Sequence, residues 1–398
     1  MKNIPDGDLV LKGILDGSHA FVGPEIVQFD ITNRCDNNCL CCWNNSPLLG
    51  DPSEERKKEK EKELPFVLVK KVISELKEMG TKTLFFAGGG EPFIHPKAME
   101  ILSFAKESGM RVAVNTNFNF IDKKRAREIV DFKIDHIHVS LLSGTAQTYG
   151  LVHPNKREED FYKIKEVLNY IALLKQKKGQ HLYHPLPHIN LYYVMFNSNY
   201  NEIKEMVDLA IDVKADSVEF PLIDTISGKT DVLLLNKEQA DKISVDISSQ
   251  LKRLEEYNKG VPVKTNIVYV DGLSKRISSD FVESGFYESD IVSKQPCYVG
   301  WNFARILANG QVNPCLKAHR ISIGNIYEEP FRDIWNSPAQ QLFRQKSFYL
   351  DEKDFYFEGI GNGLKKQFGC AKSCDNIQIN IDMHNKYGSI LKEYGKIK

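Results

Sequence analysis

The sequence predicts an α/β fold: a partial (β/α)6 barrel of the TIM type, followed by a small, cysteine-bearing α+β domain. Three observations carry this. Short apolar strands alternate with amphipathic helices six times between residues 25 and 235, the pattern of a parallel sheet covered by helices. The rhythm breaks after Asp224. The eight cysteines fall into two groups, one directly after the first strand and one near the C-terminus.

The elements follow in order. Residues 1–24 are short and mixed and read as an N-terminal arm. EIVQFDIT (Glu25 to Thr32) reads as a buried strand running into the first cysteines. The charged stretch from Asp51 to Glu63 mixes both signs and reads as a solvated loop or frayed helix start. Leu68, Val72, Leu76 and Met79 recur at helical spacing and end at Gly80. Strand Thr83 to Ala87, helix Pro96 to Ser108, strand Arg111 to Asn117, helix Lys123 to Phe132 and strand His136 to Leu142 follow. A long helix from Glu158 to Lys178, strand His188 to Phe196, helix Asn201 to Val213 and strand Ser217 to Ile223 complete six strands. Six units are too few for a closed eight-fold barrel, so the sheet is expected to be open. A helix from Lys237 to Tyr257 opens a bridging region, 236–296, and residues 297–398 form the second domain. No fixed-period repeat is seen.

Composition narrows the function classes. Lys+Arg and Asp+Glu both number 53, giving zero formal net charge, so there is no basic face for general nucleic-acid binding. No apolar run approaches the 18 or so residues of a membrane span. The N-terminus has acidic residues and no long apolar core, a poor signal peptide. A cytoplasmic location is expected, where clustered cysteines are more often metal ligands than disulfides.

CDNNCLCCW places Cys35, Cys39 and Cys42 at Cys-x3-Cys-x2-Cys spacing, with Cys41 as a fourth thiol inside. The loop lies at the C-terminal end of the first strand, where parallel α/β folds gather ligands. Three thiolates can hold three irons of a 4Fe–4S cube and leave the fourth iron open, whereas most ferredoxin-type clusters use four cysteines. A zinc site using Cys41, or plain buried thiols, are the competing readings. After the second strand comes AGGGEP, with Gly88, Gly89, Gly90 and Glu91; its glycines permit close backbone approach to a ligand. His153, before a proline in the loop after strand four, reads as structural.

The second set is Cys297, Cys315, Cys370 and Cys374. Ala308-Asn309-Gly310 marks a hairpin turn that brings Cys297 and Cys315 together. Four thiolates suffice for a fully ligated cluster or a zinc site. The segment from Ser347 to Gly369 reads as an insertion before the last pair.

These motifs resemble the radical S-adenosylmethionine (SAM) superfamily, whose signature is Cys-x3-Cys-x-aromatic-Cys followed by a GGEP motif. Here Cys41 stands at the aromatic position, and Trp43, just after the last cysteine, is the expected substitute against the adenine. Cys297…Gly310-x4-Cys315 and IGNIYEEPFRDIWNS (Ile323 to Ser337) are similar to the SPASM extension of that superfamily. The resemblance implies two 4Fe–4S clusters: a catalytic one on Cys35, Cys39 and Cys42, and an auxiliary one on Cys297, Cys315, Cys370 and Cys374. It implies SAM contacts from Gly88, Gly89, Gly90, Glu91 and Trp43, and from the strand-end residues Asn115, Asn117, Ser140 and Asn190.

The resemblance further implies reductive cleavage of SAM to a 5′-deoxyadenosyl radical that abstracts a substrate hydrogen, with a flavodoxin or ferredoxin as reductant. With so little chain before strand one for a peptide-capturing domain, a small-molecule substrate is expected, such as a sugar or nucleotide derivative. A peptide- or protein-modifying maturase is the alternative, and a non-catalytic zinc or electron-transfer protein the third reading. No catalytic acid or base is legible.

Overall fold

The computed structural model describes residues 7–177, 186–278, 280–288, 295–351, 353–361 and 369–397. The expected helix end at Lys178, and residues 362–368 of the expected insertion, lie outside these.

Helix α1 (Leu9–Asp16) is capped by Asp8, whose side chain accepts from Leu11 N. Strand β1 (Ile26–Phe29) leads to the cysteine loop. The charged stretch is a helix, α2 (Glu54–Lys60), capped by Ser53. An isolated antiparallel bridge, Thr32 with Glu63, closes the excursion that carries both the loop and α2. Helix α3 (Phe66–Glu78) buries Val69, Val72, Ile73 and Leu76, a face turned slightly from the expected one. Then β2 (Thr83–Phe86), α4 (Ala98–Glu107), β3 (Arg111–Thr116), α5 (Lys123–Asp131) and β4 (His136–Ser140) alternate. They are followed by α6 (Ala146–Val152), α7 (Glu158–Lys177), β5 (His188–Tyr192), α8 (Ile203–Asp212) and β6 (Ser217–Glu219). The expected strands are real but shorter.

The six strands pair in parallel in chain order, as the alternation predicts. The sheet is longer than expected at both ends. The bridging region holds α9 (Lys237–Lys259), begun by an Asn236/Gln239 capping box, and a seventh strand, β7 (Asn266–Val268), parallel to β6. Helix α10 (Val270–Ile277) follows. At the other edge, β8 (Phe303–Ile306) from the C-terminal region pairs in parallel with β1, Gln28 opposite Arg305. The expected hairpin forms: β9 (Gln311–Asn313) returns antiparallel to β8 around Gly310, whose φ of 85° needs glycine. Strand β10 (Gly324–Asn325) ends the ten-stranded order. The two regions therefore share one sheet.

The arm is packed rather than free. Gly13 lies against Trp301, Arg344 donates to Ser18 O, and Trp335 Nε1 donates to Val22 O. Burial separates the two faces of the sheet. Leu84, Phe86, Val112, Val114, Ile137, Val139, Leu191 and Val218 are fully buried, on the face that packs the core with the helices. Their alternates are Phe85, Asn115, His138, Ser140, Asn190, Tyr192 and Glu219. Period-two alternation puts these on the concave face, which is polar and aromatic rather than filled with aliphatic layers as in a closed barrel.

Candidate functional site

The cysteine loop is fixed by its neighbours. Asp36 accepts from Asn117 Nδ2 (2.7 Å) and Asn119 Nδ2 (3.0 Å) and pairs with Lys156 Nζ (2.5 Å). Asn38 and Asn155 exchange hydrogen bonds, and Leu40 N donates to Val152 O. Backbone amides aim at the sulfurs: Asn37 N at Cys35 Sγ (3.5 Å), Asn44 N and Asn45 N at Cys42 Sγ (3.4 and 3.2 Å). As thiolates, Cys35, Cys39 and Cys42 repel one another, and burial pushes the Cys35 thiol up to about 12 and the Cys39 thiol well above its ordinary value. A bound cation would offset that cost and favour the thiolates. Cys41 is also pushed up by burial, to about 12, and packs with Leu40 against Leu142, Val152, Phe196, Ile223 and Leu233.

The glycine run faces this loop. A Cβ at Gly88 would meet Asp30 Cγ at 2.0 Å, one at Gly89 Asn33 Oδ1 at 2.2 Å, and one at Gly90 Arg34 O at 2.2 Å. Only glycine permits these approaches. The Glu91 carboxyl is buried and turned towards the barrel. It accepts from Phe93 N, Thr116 Oγ1 and Asn117 N, and its own amide donates to Arg34 O. Burial raises it to about 7 against the opposing pull of those donors. Its side chain thus ties the turn after strand two to the end of strand three, and its amide ties that turn to the cysteine loop.

The other residues singled out in the sequence spread along the concave face. Asn115 Oδ1 accepts from Ser140 Oγ (2.6 Å). Asn190 bonds His138 Nδ1 (3.0 Å) and Glu219 Oε2 (3.1 Å) and accepts from Ser217 Oγ (2.7 Å). Asn117 Nδ2 lies 3.9 Å from Cys35 Sγ, the nearest of the four to the thiols in hydrogen-bonding terms. Trp43 is 36% exposed, stacks on His319 with ring centroids 5.3 Å apart, and has the Arg305 guanidinium 5.5 Å from its ring centre. His153 is fully buried with Nδ1 on Tyr149 O, a structural position.

The second set converges. Cys297, Cys315, Cys370 and Cys374 line one cavity with about 390 Å³ of empty space, counting space open to solvent. Its walls include Val299, Phe343, Phe357 and Ile360. The last two come from the segment read as an insertion, which therefore builds the site. Asn380 Nδ2 approaches Cys297 Sγ at 3.6 Å, and the amides of Lys317 and Ala318 favour the Cys315 thiolate against burial. Among the described residues, no three Cys, His, Asp or Glu side chains converge closely enough for a single metal ion. In both places the residues fit a larger thiolate-held group, by donor type and by amides directed at sulfur.

Several groups escaped sequence reading. Asp30, 1% exposed, accepts Arg305 Nη2 (2.6 Å) and Nε (3.1 Å) across the β1–β8 pair. Glu219 is raised by burial to about 7, and Tyr192 is raised by burial and by Glu219. Lys317, beside the second cavity, pairs with Asp224 and with Asp375 (3.1 Å). Glu219 and Tyr192 showed in the sequence only as ordinary strand alternation, and Asp30, Asp224, Lys317 and Asp375 lie outside the strands.

An open, largely parallel sheet with a thiol loop and a glycine run at one strand end, and a second thiol cavity beyond, is the arrangement of a protein that holds thiolate-bound groups at two places. The comparisons agree. The Radical SAM superfamily model matches residues 29–210, and the SPASM iron-sulfur cluster-binding domain matches 297–354. The tungsten-containing aldehyde ferredoxin oxidoreductase cofactor-modifying protein of Pyrococcus furiosus is 23% identical over 332 residues, covering 80% of this chain and 82% of that one. Several PqqA peptide cyclases are similar; that of Bradyrhizobium diazoefficiens is 26% identical over 307 residues, covering 75% and 68%. Streptococcus suis SuiB, in a crystal structure bound to S-adenosylmethionine, superposes with a TM-score of 0.58 at 16% identity, covering 81% and 68%. The chain belongs to the radical SAM superfamily and carries a C-terminal SPASM-like domain. It is an enzyme that uses 4Fe–4S clusters, one main and one auxiliary, together with SAM. Among the described residues, no helix is long and apolar enough to cross a membrane.

Proposed function

We propose that this enzyme modifies a peptide, with Cys35, Cys39 and Cys42 holding the main cluster and Cys297, Cys315, Cys370 and Cys374 the auxiliary one. The observation that carries the peptide reading is the similarity to PqqA peptide cyclases, which spans 75% of this chain. The small-molecule expectation rested on the short stretch before β1; relatives named for porphyrin chemistry, an Fe-coproporphyrin III synthase and an AdoMet-dependent heme synthase, support it as a second reading. When bound, the main cluster and SAM together supply a carbon-centred radical that abstracts hydrogen.

The chain's own residues do the rest. The Gly88–Gly90 backbone offers close approach to SAM beside the cysteine loop, with Asp30 and Asn33 fixing that cradle from behind. Asn115 and Ser140, already paired, present polar edges on the concave face. Trp43, held against His319 and Arg305, offers a flat partner for the adenine. Glu219, with Tyr192 nearby, provides a carboxyl poised near neutrality on the same face. A flavodoxin or ferredoxin would supply the electron.

The test uses anaerobically reconstituted protein with dithionite and SAM. Short peptides encoded beside the gene are compared with sugars and nucleosides as additives. The reading expects 5′-deoxyadenosine formation raised by a peptide that loses two hydrogens in mass. Stimulation by a sugar or nucleoside alone, with every peptide unchanged, would restore the small-molecule reading.

A further inference from the structure

The charged helix α2 meets the start of the cysteine loop through Glu59, which accepts from Asn33, and the peptide groups around Cys42 through Arg56. Arg56 Nη2 donates to Trp43 O (3.3 Å) and to Asn44 O (3.1 Å). Each carbonyl belongs to a peptide unit whose other end is already engaged. The Trp43–Asn44 unit points its N–H at Cys42 Sγ, and so does the Asn44–Asn45 unit. The guanidinium therefore holds the oxygen ends of the two peptide groups whose nitrogen ends meet the same sulfur. Hydrogen bonds in such a chain polarise one another. Among the described residues, no carboxylate lies within ion-pair distance of Arg56, so its charge is not offset locally. Lys60, one turn on, adds a second cation felt by Cys42.

We propose that Arg56 is a positioning residue that makes the main cluster easier to reduce, acting through these two peptide units on Cys42. The inference rests on Cys42 being a cluster ligand. One-electron reduction by an external donor adds a negative charge to the cluster. Hydrogen bonds to its sulfurs and nearby positive charge favour that state. A neutral residue at 56 removes the charge; glutamine keeps donors that can hold the loop, and lysine keeps the charge.

The experiment is a redox titration with dithionite of the reconstituted full chain, following the electron paramagnetic resonance signal that responds to SAM. Arg56→Gln should load iron normally and show about a tenfold lower ratio of reduced to oxidised cluster at a fixed potential, which is 59 mV for one electron. Arg56→Lys should stay within about twofold of the unmodified protein on the same scale. An Arg56→Gln ratio unchanged, or an Arg56→Lys ratio lowered equally, would overturn the proposal. Loss of main-site iron in Arg56→Gln with normal iron in Arg56→Lys would also overturn it, making Arg56 a structural clamp. If Cys42→Ala leaves the SAM-responsive signal intact, the ligand assignment beneath the proposal fails instead.

Discussion

Arg305→Met should loosen the junction between the barrel and the cysteine-rich region more than any exposed substitution. Asp30 is 1% exposed, and its Oδ2 receives two guanidinium nitrogens, at 2.6 and 3.1 Å. Oδ1 has Gln28 Nε2 at 2.9 Å. The same arginine donates to Leu316 O at 3.1 Å. Methionine fills comparable space but leaves a buried carboxylate oxygen and a carbonyl without donors. Breaking one side of a buried ion pair costs about 3–5 kcal/mol. At 1.36 kcal/mol per decade, the opening equilibrium of β1 and β8 should rise by more than about a hundredfold. Amide hydrogen exchange read by mass spectrometry over Ile26–Phe29 and Phe303–Ile306 measures this directly. Combining Asp30→Asn with Arg305→Met removes the stranded charge and should recover part of the protection. Exchange at these strands within about threefold of the unmodified protein would refute a stabilising role for this pair.

Three further outcomes are expected. Cys41→Ala should keep main-site iron while Cys35→Ala, Cys39→Ala and Cys42→Ala lose it and lose SAM cleavage; replacing Cys370 and Cys374 should cut total iron from about eight to about four atoms per chain, read by iron assay. Gly90→Ala sets a Cβ 2.2 Å from Arg34 O and 2.5 Å from Asn33 C, both backbone. SAM affinity of the reconstituted protein should fall more than about tenfold by calorimetry, and affinity within twofold would count against the cradle. Glu219 is raised from 4.5 to about 7 by burial. The folded chain then holds a proton there that the unfolded chain has lost, so stability from this group is full below about pH 4.5 and falls as pH rises through about 7, by roughly 3 kcal/mol. Glu219→Gln abolishes that fall, so its thermal midpoint should gain on the unmodified protein between pH 5 and 8; a constant difference would reject the shift.

The order of strands and helices was legible because helix-covered positions such as Leu84, Val112 and Val139 are aliphatic at period two. The thiols and glycines were legible because few residues can replace them. The pairing of β8 with β1 was hidden: 274 positions separate Phe29 from Phe303, and four-residue FARI carries no mark of its partner. α2 was read as solvated because its charges mix in sign, yet Arg56 turns inward. Strand ends were overrun because Leu141 stays buried beyond β4, and because Met195 and Leu222 pair only as an isolated parallel bridge past the ends of β5 and β6. Glu219 and Tyr192 gave no signal because a lone polar residue in a short strand reads as an alternation, not as a site.

The β1–β8 pairing also bears on synthesis. β1 emerges from the ribosome early, but the strand that covers its free edge is translated only after nearly the whole barrel. Until then β1 is an uncovered edge strand, with a row of open amides and carbonyls available to another chain. Closing so long a loop is slow, and partly built sheets aggregate. Expression of residues 1–296 alone should therefore yield insoluble protein, and the two regions behave as one folding unit rather than as a catalytic module with a detachable extension.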